Sequence, residues 1–267
     1  MIVHNGNIVV NNGRWIIPPK EYNVIINQTT GGTISAIPMK GISGTTVSLN
    51  NIASLNYEFA GYNITGSTLY DGNKFDINGS DVIVSANWNY IDPFTTVTIG
   101  TQTWMKYNLN IDDGGTGIYH RDLTNVNGYN LGTQYYYNYE AAIRVANSIE
   151  GFHLPTKEEI HTLLQYDGGW QDKGYKLKST FAWDNNANGS DIYGFRALPV
   201  GMWYYYHNKG EWRFAGSRGD LGGATVDPDY EMDPTGVWGI GIDTENGAIN
   251  ALALQETARP VRLIKDY

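Results

Sequence analysis

Residues 151–164 read GFHLPTKEEIHTLL, and the first eleven of them hold two histidines and two glutamates. The stretch is either a metal or catalytic cluster or the start of a helix. Thr156 followed three positions later by Glu159 has the spacing of a capping box: the threonine caps a backbone N–H and the glutamate reaches back to the cap. Ile160, Leu163 and Leu164 then share one apolar face, with Glu158 and His161 turned away from it. A zinc peptidase needs two histidines four apart on a helix with Glu beside the first, and that spacing is missing. The stretch predicts a helix start, and His153 just before it is equally read as a hydrogen-bonded, half-buried residue.

Working outward, TTVTIGTQTWM (95–105) alternates apolar and polar residues about a glycine turn. YEAAIRVANSI (139–149) has helical period, as does TKEEIHTLLQY (156–166), and RPVRLIKDY (259–267) closes the chain as an alternating strand. A strand, two helices, many Gly-rich loops and a terminal strand predict an α+β domain over 92–267. The segment IDPF (91–94) marks its boundary. Upstream, from Tyr22 to Asn89, runs such as YNVIINQ, GTISAIP and SDVIVSANW are separated by turns at Thr30-Gly31-Gly32 and Asp71-Gly72-Asn73. None of them has helical period, so a small all-β module is expected over 20–91. Residues 1–19 read as a leader: IVHNGNIVV puts two apolar runs around Asn5-Gly6, a hairpin signal, and Pro18-Pro19 stiffen the exit.

Composition narrows the function. A net charge of -9 and no basic run argue against wrapping a phosphate backbone. No stretch approaches the ~18 apolar residues of a membrane span, and the first residues lack the pattern of a secretory signal. The chain has no cysteine, which removes disulfides, thiolate-bound zinc and thiol nucleophiles together. It is therefore expected to fold in a cytoplasm. Twenty Tyr and eight Trp among 32 Gly suit a loop-rich protein that presents stacking surfaces.

Four stretches in order, TVTIGTQTWMKYNLN, YYNYEAAIRVANSIEGFHLPTKEEIHTLL, LKSTFAWDNNANGSDIYGFRALPVG and ARPVRLIKD, resemble the Fibrobacter succinogenes major paralogous domain over about 96–266. That family is similar to the C-type lectin fold and to the formylglycine-generating sulfatase-modifying group. The resemblance implies that the first and last strands pair, TVTIG with PVRLI, and that the loop region between them carries the ligand. Family members often have cysteines where this chain has Ser148 and Leu263; their joint loss fits a reducing compartment. With no cysteine, formylglycine-generating chemistry is excluded. Residues 22–89 resemble a divergent internalin-B-type bacterial repeat, a module that implies a spacer or adhesive stalk.

Candidate sites follow. DNNANGSD (184–191) opens like a calcium loop, with Asp184, Asn186, Asn188 and Asp191 as possible ligands and Gly189 for the turn. Phe195 stands where the closing bidentate Glu is required, and an Asx-rich turn capping its own backbone is the favoured reading. Trp203, Tyr204, Tyr205, Tyr206, Trp212, Arg213 and Trp238 fall in the region that the resemblance gives to the ligand. Aromatic faces beside hydrogen-bonding side chains suit sugar rings, although half of these aromatics are expected to be core. Arg218 and Asp220 complete the set, in an Arg-Gly-Asp tripeptide of the integrin type that arises readily by chance in a Gly-rich loop. VDPDYEMD (226–233) places four carboxylates in eight residues; a solvated loop is favoured over a glycosidase pair.

The sequence thus predicts no enzyme, no nucleic-acid binding, no membrane insertion and no cofactor beyond a possible Ca²⁺. It predicts a recognition protein of a bacteriophage virion (fibre, tail or capsid-decorating) that folds in the host cytoplasm and binds a host-surface glycan or protein. It would form a homo-oligomer and dock on other virion proteins through its leader. The alternatives are a secreted or lipid-anchored Bacteroidetes surface adhesin, and a glycan depolymerase.

Overall fold

The computed structural model describes residues 9–11, 14–16, 18–54, 56–229 and 235–266. The chain divides into two compact units, Met1–Tyr90 and Ile91–Tyr267. In the first, Val9–Asn11 pairs antiparallel with Arg14–Ile16. The expected turn at Asn5-Gly6 lies outside the described residues.

Two sheets then enclose one apolar core. The first runs in the order Lys40–Ile42, Glu21–Asn27, Val82–Tyr90, Tyr57–Thr65, and the second Gly32–Ile37, Thr46–Ala53, Lys74–Asp76. Because side chains alternate across a strand, Val47 and Leu49 point inward from one strand and Val82, Val84 and Ala86 from another, meeting Val24, Ile34 and Phe75. Glu21–Asn27 and Val82–Tyr90 run parallel, pairing Val24 with Val82 and Asn27 with Ser85. On the edge strand Gly32–Ile37, the Gln28 side chain accepts from the Ile34 N–H and donates to the Ile34 carbonyl. Its amide thereby occupies backbone groups that an edge otherwise offers to another chain.

The second unit opens with the hairpin Thr96–Ile99 and Gln102–Met105. Here the expected strand pairing needs correction. The closing strand Ile264–Lys265 lies beside Gln102–Met105, with Trp104 opposite Ile264, and Phe152–His153 covers its other side. Thr96–Ile99 is the outer edge. The tight turn at Gly100 commits Thr96–Ile99 to its hairpin partner, so only the second arm is left to bond the end of the chain. Met105 and Leu109 donate to the Leu263 and Val261 carbonyls and extend that seam.

Helix α1 (Tyr139–Ala146) starts where Asn138 accepts a hydrogen bond from the Ala141 N–H. Helix α2 (Lys157–Gln165) starts at Thr156, where both bonds of the capping box are present. α1 buries Ala141, Ala142 and Val145 against Met105, Leu109 and Leu263. α2 buries Ile160, Leu163 and Leu164 against Leu221, Ile240 and Ile242. Two helices were expected, but a third, α3 (Lys173–Leu177), is present, with single 3-10 turns at Trp170–Asp172 and Asp184–Asn186. Five residues are too few to show a helical period. The unit is therefore mostly β with three short helices. Its remaining strands form the hairpins 118–123/132–137 and 202–206/209–213 and the sheet 219–227/236–242/248–250.

Candidate functional site

The hairpin Met202–Tyr206/Lys209–Arg213 carries most of the aromatics singled out in the sequence. Its register sets Trp203 opposite Trp212, Tyr204 opposite Glu211 and Tyr205 opposite Gly210. Opposed residues share a face, so alternation sorts the aromatics into two sets. Trp203, Tyr205, Gly210 and Trp212 face inward. Trp203 stacks on Tyr119 with ring centroids 5.2 Å apart and 22° between planes. The indole also lies so close to Gly210 that any Cβ there would strike it. Trp212 meets Trp203 and Tyr136 edge-on at 5.0 and 4.7 Å, with the Arg121 guanidinium 5.4 Å from its ring centre. Both tryptophans anchor the hairpin, and the Trp203 face stacked on Tyr119 is closed to a sugar.

Met202, Tyr204, Tyr206, Lys209, Glu211 and Arg213 share the other face, on which Met202 is buried, Tyr204 half-buried and the remaining four exposed. The Arg213 guanidinium lies 4.3 Å above the Tyr204 ring, and its Nε donates to Glu211. The Tyr206 ring is 43% exposed and sits 4.0 Å from that of His207. This face offers planar rings beside fixed donors and acceptors, the combination that binds sugar hydroxyls and C–H faces.

Arg218 and Asp220 belong elsewhere. Asp220 is 1% exposed on the strand Gly219–Asp227, so Arg-Gly-Asp is not an exposed recognition loop. Asp220 faces Gly241 across the sheet, and the missing side chains at Gly239 and Gly241 make room for the Arg259 and Arg218 guanidiniums. Arg218 Nε lies 2.7 Å from Asp220 Oδ2 as a close charge contact, without hydrogen-bond geometry. Burial pushes the Asp220 carboxyl up, against the pull of Arg218 and Arg259. Burial also pushes the Arg259 guanidinium down to about 10, while its donors reach the Ala251, Val237 and Trp238 carbonyls. Desolvated charge held between strands is a structural feature, not a ligand face.

Trp238 is not part of the hairpin set. Its indole N–H donates to Asp227 Oδ2 at 2.8 Å, the Lys157 ammonium lies 4.2 Å over the ring, and His161 of α2 meets its edge. Asp227 also accepts from the Asp229 N–H. Glu231 and Asp233 lie outside the described residues.

Three of the four candidate calcium ligands are engaged in hydrogen bonds within the protein. Asp184 accepts from the Asn127 amide at 2.8 Å, Asn188 from the Trp183 N–H at 3.1 Å, and Asp191 from the Arg196 N–H at 2.6 Å. Asn186 sits in a left-handed turn. Asn188 and Asp191 cap nearby backbone N–H groups and Asp184 holds a distant side chain, whereas Ca²⁺ needs six to eight converging oxygens. Among the described residues no three His, Asp or Glu side chains gather as a metal group.

Sequence reasoning gave His153 as a hydrogen-bonded, half-buried residue without its partners, and it missed Lys178. His153 Nδ1 lies 2.6 Å from Asp266 Oδ1 and Nε2 lies 2.8 Å from Glu159 Oε1. Burial opposes its charge, but the two carboxylates outweigh that and hold its pKa above the ordinary value. Lys178 is fully buried, and its ammonium donates to the Asp243, Thr244 and Glu245 carbonyls. The capping spacing pointed to Glu159, but no local signal could find partners 113 or 65 residues away.

The chain belongs to the Fibrobacter succinogenes major domain family, whose model matches residues 97–265. Residues 22–92 match the divergent InlB B-repeat domain. No curated protein and no solved structure matches the chain. Among the described residues no helix is long and apolar enough to cross a membrane.

Proposed function

We propose that this chain is a non-enzymatic recognition protein whose second unit, with a C-type-lectin-like fold, binds a cell-surface glycan or protein through the outward face of the 202–213 hairpin. The observation that carries this reading is the set Tyr204, Tyr206, Glu211 and Arg213: one exposed and one half-buried ring beside charged side chains, on a hairpin anchored by Trp203 and Trp212. The opening hairpin and the closing strand bracket a long loop region, which agrees with that fold. Asp227 spends its carboxylate on Trp238 and on the backbone, which favours binding over hydrolysis.

We place the protein in a bacteriophage virion, as a fibre, tail or capsid-decorating subunit. A chain without cysteine loses nothing by folding in a reducing host cytoplasm. A homo-oligomer docked through residues 1–19 would multiply a weak single site by its copy number. The second reading, a bacterial surface adhesin, is favoured by the InlB-repeat match over residues 22–92.

The test is binding to printed bacterial surface glycans and to whole cells. Tyr206→Ala and Arg213→Ala are each expected to weaken binding about tenfold, the weight of one aromatic or charged contact, without lowering the melting temperature. Wild-type binding that both variants leave intact would remove the hairpin from the reading. Labelling of purified phage particles by antibody to this chain decides between virion and bacterial surface.

A further inference from the structure

Phe214, the first residue after the hairpin, has φ +67°. That left-handed region costs a residue with a Cβ, and Gly, Asn and Asp meet it most easily. Nine of the twelve described non-glycine residues with positive φ are Asn, Asp or His, so three stand out: Ala182, Arg196 and Phe214. Ala182 is 1% exposed in the core. Arg196 spreads its guanidinium over the Phe181 and Tyr107 rings and accepts from Arg262. Packing accounts for those two. The Phe214 ring is 42% exposed, with the Arg218 guanidinium 5.7 Å from its centre.

The surrounding backbone imposes the conformation. The Phe214 carbonyl accepts from the Ser217 and Arg218 N–H groups, and the chain packs so tightly on Gly201 that a Cβ there would strike residues 213–215. A glycine or asparagine would meet the same turn with less strain. A strained residue whose ring stays 42% exposed, covered on the protein side by the Arg218 guanidinium, points to selection for contact with something outside the fold.

We infer that Phe214 is a further ligand-contacting residue and that the ligand is an extended glycan of several sugar rings; this rests on the hairpin reading above. Tyr206 lies near the turn of the hairpin, opposite Lys209, and Phe214 follows Arg213 at its base. Four residues of strand separate Tyr206 from the base, roughly 13 Å at the usual rise. No single sugar ring spans that distance, and a chain of them does. Arg213, stacked on Tyr204, fills the middle of the track.

The test uses the full chain against a printed series of bacterial surface polysaccharides and their fragments, from single sugars to polymer. Wild type should bind the polymer more tightly than the single sugar. Phe214→Gly should weaken polymer binding about tenfold, leave single-sugar binding unchanged, and hold or raise the melting temperature. Phe214→Tyr, which keeps the ring, should bind like wild type. Undiminished polymer binding by Phe214→Gly, or single sugars bound as tightly as polymer, overturns the inference and leaves the hairpin reading standing. A melting temperature that falls in Phe214→Gly with affinity retained makes the ring a packing residue and also overturns it. Failure of wild type to bind any glycan overturns the inference and leaves only a protein ligand for the hairpin, which the whole-cell assay tests.

Discussion

Raising the pH from about 5.5 to about 8.5 is expected to loosen the seam that ties the end of the chain to α2, through His153. Both ring nitrogens face carboxylates, at 2.6 Å to Asp266 and 2.8 Å to Glu159, so both bonds exist only when both nitrogens carry protons. Glu159 also accepts from the Thr156 N–H and hydroxyl, and Lys265 pairs with Phe152 in the same strand pair. The His153 pKa is raised in the fold, so its contribution is complete below the unfolded value near ~6.5 and is lost as pH climbs through the folded value. Partial burial pushes the Glu159 carboxyl up, but its bonds to Thr156 and His153 outweigh that and lower its pKa. Its share is present above the unfolded value near ~4.3 and disappears as pH falls through the folded one. The seam is thus tightest between those two unfolded values.

The side chains of His153, Glu159 and Asp266 are 36, 21 and 53% exposed, so solvent screens both bonds. At surface strength they contribute about 1–2 kcal/mol together. In a unit of this size that corresponds to a fall in melting temperature of about 2–8 °C across the range. Calorimetry that resolves the two units should show the drop in the second. In His153→Gln, whose side chain does not titrate, the melting temperature should be lower at the acid end and nearly independent of pH through this range. A wild-type melting temperature that rises between the two pH values, or a constant gap between the proteins, would refute the reasoning.

Two further outcomes follow from buried geometry. Lys178→Met should lower the melting temperature of the second unit by about 4–12 °C, because the Asp243, Thr244 and Glu245 carbonyls lose their shared donor at a cost of about 2–3 kcal/mol; hydrogen exchange should localise the loosening to 243–247. Gly210→Ala should push the Trp203 indole off its seat, shifting its fluorescence to the red and weakening the stack with Tyr119. Unchanged emission would mean that the hairpin relaxes around the methyl.

Much of the fold was legible because its signals are local. The capping box at Thr156 and Glu159 names α2 from four residues, since both bonds close within one turn. Alternation in Thr46–Ala53 names the inward residues, since a strand repeats every two. In the candidate site, the aromatics of 203–206 and 212 were visible as a group, but which of them face out was not. Trp203 and Tyr204 are neighbours of the same chemical kind, and only the partners behind the hairpin, Tyr119 and Tyr136, assign them opposite roles. Asp220 misled for the same reason: nothing near it in sequence reveals that Arg259, from a distant segment, shares its burial.

The amino-acid order alone determined where strands, caps and turns begin, the division into a β module and a larger domain, and the absence of thiol chemistry, because each depends on contacts a few residues long or on residues simply not present. Tertiary structure decided the rest. It set the parallel pairing of Glu21–Asn27 with Val82–Tyr90, the choice of Gln102–Met105 as partner of the last strand, the His153 and Lys178 bonds, and the exposed strain at Phe214. Those depend on which distant segments meet, and the physical reason is that burial and desolvation are set by the whole packed chain and leave no trace in any short window of it.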